Sequence, residues 1–158
     1  MKYYFVYNIC MVLFVQNVAA QISYNTVEQR TTNFNIEKSG LAIKGYDPIS
    51  YFLGKPQKGS SLFLYKYNGV NYQFSNSKNL QLFKSSPEKF EPAYGGWCAY
   101  AMGATGEKVE IDPETYKIIN GKLYLFYNSF FNNTLPKWNN DEKNLNKKAD
   151  TNWIKINK

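Results

Sequence analysis

Cys98 is the side chain in this sequence best suited to chemistry, and Met102 follows it by four residues. On a helix that spacing puts both on one face, and a thiolate beside a thioether is a soft donor pair that suits Cu(I). The competing reading is a core position. Free cysteine is among the most buried residue types, and Ala99, Ala101 and Met102 make an apolar setting that works against a lowered thiol pKa. The chain has no histidine, which excludes the Ser/Cys/His triads, histidine zinc sites and histidine-ligated haem. A thiol enzyme built on Cys98 would therefore need a helix N-terminus or a lysine to activate it. No reaction is assigned on this basis.

Tyr46, Asp47, Tyr51, Tyr72, Tyr94, Gly95, Gly96, Trp97 and Tyr100 form a second group. Tyrosine and tryptophan can line a small-ligand pocket, and Gly95-Gly96 permits close approach. The same residues also make an ordinary aromatic core with hydroxyls at its rim, and that is the preferred reading. Asp47 and Asp112 each precede a proline, a pattern of helix caps and turns. Glu107, Glu110, Asp112 and Glu114 match no calcium-loop spacing and read as a solvated face.

The elements that must position these residues alternate between hairpins and short helices. Residues 61–67 alternate in period two, Asn68-Gly69 is a two-residue hairpin signal, and 70–75 returns as an aromatic strand. Residues 116–119 and 122–127 repeat the arrangement around Asn120-Gly121. Asp47-Pro48 opens a short helix, Ser75 or Ser77 caps another, and Ser86-Pro87 begins a third. A last helix is expected from a cap at Ser129 to about Ala149, broken near Pro136. The fold class is α+β, small antiparallel hairpins packed with short helices and a C-terminal helix.

Residues 1–20 read as an export signal peptide: Lys2, the apolar run 3–15, then Val18-Ala19-Ala20. Residues 21–40 are polar and without a sustained period, a flexible lead-in, and 41–158 form one domain. Cys10 lies in the leader, so Cys98 would be the one thiol left after cleavage. The 158 residues carry net charge +7, with 19 Lys plus Arg. Arg30 is the single arginine, which argues against specific nucleic-acid partners.

In order along the chain, LAIKGYDPISYF (41–52), GKPQKGSS (54–61), Tyr67-Asn68-Gly69 with YQFS (72–75), PEKF (87–90), YGGWCAYA (94–101), IDPE (111–114) and GKLYLFYN (121–128) make a pattern. With Ala149 to Trp153 it spans about 110 residues. The chain resembles the secreted or periplasmic YHS-domain family. That resemblance implies a bacterial protein exported to the periplasm or beyond, with no membrane span after cleavage. It also implies a binding or accessory role toward an envelope protein, a metal or a small ligand. Metal-type YHS domains carry three cysteines where this chain has Ser50, Ser75 and Asn79. Hydroxyls and an amide cannot replace thiolates for Cu(I) or Zn(II), so a copper role would fall to Cys98 with Met102. The alternative is a structural or protein-interaction domain with Cys98 buried and inert.

Overall fold

A computed structural model describes residues 27–157. The expected leader and the first part of the lead-in lie outside the described residues. The fold is α+β, with three separate two-stranded antiparallel hairpins and seven helices among the described residues.

Helix α1 (27–33) precedes α2 (Pro48–Phe52), after which β1 (Ser60–Tyr67) and β2 (Val70–Phe74) pair through the Asn68-Gly69 turn. Both turn residues have positive φ, 44° and 88°, the twist that suits a two-residue connection. Helices α3 (Ser77–Ser85) and α4 (Pro87–Phe90) come next, then a 3₁₀ turn (Ala93–Gly96) and α5 (Ala99–Ala104). The second hairpin, β3 (Asp112–Ile119) with β4 (Lys122–Phe126), turns on Asn120-Gly121. A bulge between Asp112 and Tyr116 carries the pairing four residues beyond the expected start.

After β4 the chain departs from expectation. Ser129 caps no helix; it pairs in a third small hairpin, β5 (Asn128–Ser129) with β6 (Asn132–Asn133). Helix α6 (Leu135–Asn140) has Pro136 in its first turn, where a missing N–H costs nothing, and α7 (Glu142–Ile156) continues past Ala149. Leu145 and Ala149 are its inward positions, four apart. Helix α5 packs against α7 so closely that a Cβ on Gly103 would lie 2.5 Å from the Leu145 carbonyl oxygen. Asn76, between the two serines expected to cap α3, is the residue that does so, its side chain accepting from the Asn79 N–H.

Two clusters make the core. The first gathers Ile49, Tyr51, Val70, Tyr72, Phe74, Phe83 and Cys98 under the first hairpin, while the second gathers Tyr94, Met102, Phe126, Trp138 and Leu145 under α7. Residues 27–33 of the lead-in form helix α1 where a loose segment was expected. Arg30 reaches Glu91 with a two-pronged ion pair, and Phe34 packs on Trp153 with ring centres 5.9 Å apart. Two long-range anchors thus replace the periodic apolar face that the segment lacks.

Candidate functional site

Cys98 stands immediately before α5, its N–H bound to the Val109 carbonyl and its own carbonyl accepting from the Met102 N–H. The thiol is fully buried. Its Sγ accepts the Tyr127 N–H at 3.3 Å and lies 3.5 Å from Thr134 Oγ1. The Thr134 hydroxyl donates its proton to the Tyr127 carbonyl at 2.8 Å, so Cys98 S–H is the donor toward Thr134. Both hydrogen-bonding roles of a neutral thiol are filled. Met102 is also fully buried but packs in the other cluster, against the α7 side of the core. Cys98 precedes the first turn of α5, and the two residues are buried in different core clusters with no solvent access. The pair does not fit the soft-metal role.

Ser50, Ser75 and Asn79 do meet, at Asp47. This carboxylate is fully buried; one oxygen accepts the Ile49 N–H at 2.8 Å, and the other accepts from the Ser75 N–H, the Ser75 hydroxyl and the Asn79 amide at 2.9, 2.8 and 2.6 Å. The Ser50 hydroxyl donates to the Asp47 carbonyl at 2.6 Å and accepts the Gln57 N–H at 2.9 Å. The cluster ties α2 to the end of β2 and to α3. Its oxygens are consumed by hydrogen bonds, and it offers no soft donor, so it does not fit Cu(I) or Zn(II). Among the described residues no three Cys, Asp or Glu side chains converge as metal ligands. The acidic segment separates likewise: Glu114 accepts from Tyr46, Asp112 from Thr115, and Glu110 lies 3.7 Å from Lys44.

The aromatic candidates do not share one pocket. Tyr46 lies at the surface, its phenol on Glu114 and the Lys58 ammonium 4.9 Å from its ring centre. Tyr51 is buried, donates to the Pro113 carbonyl at 2.8 Å, and has its pKa raised by burial. Trp97 Nε1 donates to the Asn33 carbonyl at 2.7 Å, and the Gly96 carbonyl accepts from the Asn35 amide. Tyr100 is half-buried beneath Lys137.

Tyr94 and Gly95 alone of that group line an open cleft of about 270 Å³, together with Phe34, Lys122, Tyr124 and Trp153. Gly95 is required there: its φ is +59°, and a Cβ would fall 2.8 Å from Phe34 and 2.9 Å from Trp153. Four parts of the chain build the cleft, namely the end of α1, the 3₁₀ turn, the start of β4 and the outer face of α7. Tyr94 packs edge-on against Tyr124 at 5.8 Å and Trp153 at 6.5 Å. Its hydroxyl donates to Asp150 Oδ1 at 2.9 Å, and burial first, then that bond, raises its pKa.

Behind the aromatics lies Glu91, 6% exposed, which takes two hydrogen bonds from Arg30 and one from the Tyr72 hydroxyl at 2.6 Å. Burial, then Glu91, pushes the Tyr72 phenol well above its ordinary value. Burial pulls the Arg30 guanidinium down, but its hydrogen bonds and charge pairing with Glu91 leave it raised. Lys122 is half-buried and depressed by desolvation. Arg30, Phe34, Glu91, Lys122, Tyr124 and Asp150 were not legible as site residues. The isolated Arg30 in a lysine-rich chain was the available signal, since a guanidinium is suited to a planar two-pronged pair.

No family model, curated protein or solved structure matches the chain.

Proposed function

We propose that the protein is an exported, YHS-like binding or accessory domain whose ligand contact is the cleft walled by Phe34, Tyr94, Tyr124 and Trp153. Cys98 then has a structural role. The observation that carries this reading is the cleft itself, where aromatic rings meet an uncompensated lysine beside a buried ion pair. Concave aromatic surface with a few placed polar groups is the usual composition of a small-ligand site. The family part rests on the ordered segments and on the meeting of Ser50, Ser75 and Asn79 at Asp47. The apolar run at 3–15 and the small residues at 18–20 support export.

Alkylation of Cys98 in the protein recovered from a bacterial periplasm tests the role of the thiol. Native protein should label at least about a thousandfold more slowly than unfolded protein, with no change on adding Cu(I). Fast native labelling that copper blocks would return the site to Cys98 and Met102.

A second reading, docking to another envelope protein, is favoured by Phe130 and Phe131. Both are fully exposed at the β5–β6 tip, 99% and 106%, and isolated domains rarely leave adjacent phenyl rings in water without use. Loss of a native complex on Phe130→Ser/Phe131→Ser, with ligand binding at the cleft unchanged, would establish that reading.

A further inference from the structure

The cleft holds two charges that its own side chains leave open. Lys122 makes one long hydrogen bond, 3.4 Å to the Glu88 carbonyl, and no carboxylate among the described residues lies within ion-pair distance of it. Glu91, the nearest acid in the wall, is occupied by Arg30 and Tyr72. Asp150 is exposed at the rim, and Oδ1 takes the Tyr94 hydroxyl while Oδ2 receives no hydrogen bond among the described residues. Arg30 and Glu91 cancel, so the cleft presents one free cation and one free anion, and the rest of its wall is apolar, four aromatic rings with Pro92, Ala93 and Gly95. A simple anion would satisfy Lys122 but meet Asp150, and a simple cation would do the reverse.

A molecule that carries both charges and a flat apolar body satisfies every wall at once. Resting on the reading that the cleft is the contact site, we propose that it takes a small aromatic zwitterion of the α-amino-acid type. The carboxylate would sit on Lys122, the ammonium on Asp150, and the ring against Trp153 and Tyr124. The cleft volume of about 270 Å³ lies just below the usual range of ligand sites, about 300–1,000 Å³, which suits a single residue better than a peptide. Binding also removes the cost that desolvation imposes on the Lys122 ammonium, because the ligand carboxylate replaces lost water.

Trp153 lies in the wall, so tryptophan fluorescence of the periplasm-recovered protein reads binding directly. The probes are L-phenylalanine, 3-phenylpropionate with the carboxylate alone, phenethylamine with the ammonium alone, and L-alanine without a ring. L-Phenylalanine should bind at least about tenfold more tightly than each of the others. Lys122→Gln should weaken L-phenylalanine about tenfold and leave phenethylamine unchanged, and Asp150→Asn should weaken L-phenylalanine and leave 3-phenylpropionate unchanged. If 3-phenylpropionate or phenethylamine binds as tightly as L-phenylalanine, the zwitterion is refuted and the cleft reading stands. If none of the four binds at about 10 mM, a level corresponding to negligible affinity, both fail. The comparison of probes on the unaltered protein keeps the test decisive should either variant not fold.

Discussion

Glu91→Gln should destabilise the protein substantially while preserving the side chain's shape. Glu91 is 6% exposed and accepts two hydrogen bonds from Arg30 and one from Tyr72. Glutamine keeps one acceptor, but its NH₂ must face a donor, and the Arg30 guanidinium loses its counter-charge. Removing one partner of a fully buried pair costs about 3–5 kcal/mol. The Arg30 side chain is 13% exposed, keeps its bond to the Asn68 carbonyl, and lies 4.4 Å from the Phe34 ring centre. Those contacts place the loss lower, at about 2–3 kcal/mol. For a domain of this size that corresponds to a Tm lower by roughly 10 °C. Thermal unfolding followed by circular dichroism at pH 7 measures it. With Arg30→Gln the double variant should be less destabilised than the two singles summed, by about 1.5–3 kcal/mol. A single loss below about 0.5 kcal/mol, or simple additivity, would refute the claim that this pair anchors α1 and the back of the cleft.

Asp47→Ala should cost about 3–4 kcal/mol in chemical denaturation, since it strands two backbone N–H groups and two side-chain donors in a fully buried position. Gly95→Ala should lose about 1–2 kcal/mol for the left-handed backbone alone and also reduce ligand affinity by displacing Phe34 or Trp153, read by fluorescence titration. Phe130→Ser/Phe131→Ser should change stability by less than about 0.5 kcal/mol by the same unfolding assay, because both rings are already in solvent. Raising the pH should unfold the protein from about pH 10 upward. Tyr51, Tyr72 and Tyr94 have folded pKa values above their unfolded value of about 10. The folded state therefore binds more protons, and stability present below pH 10 falls as pH rises. Tyrosinate absorbance should show these three phenols ionising only with loss of structure.

The hairpins were legible because Asn-Gly flanked by alternating residues dictates both turn and register, and Asn68 and Asn120 do take positive φ. The helix starts at Asp47-Pro48 and Ser86-Pro87 were legible for the same local reason. Local signals failed where long-range contacts decide. Arg30 acts across 61 residues on Glu91, and nothing in the polar run around it reports that pairing. The Cys98–Met102 spacing implied a shared face, but Cys98 lies outside the helical turn and its side chain joins another cluster. The tyrosines serve the aromatic core more than a common pocket, and Tyr51 and Tyr72 spend their hydroxyls on separate acceptors, the Pro113 carbonyl and the Glu91 carboxylate. The cleft draws Phe34, Lys122 and Trp153 from three distant parts of the chain, a grouping that no one-dimensional pattern carries.

Backbone amide NMR of the protein, titrated with L-phenylalanine, separates a ligand in the cleft from a site at the thiol in a single experiment. Shifts should concentrate at Phe34, Tyr94, Gly95, Lys122 and Trp153 while Cys98 and Tyr127 stay in place. Shifts centred on Cys98 and Met102, or none along the cleft, would contradict the assignment of the cleft as the contact site.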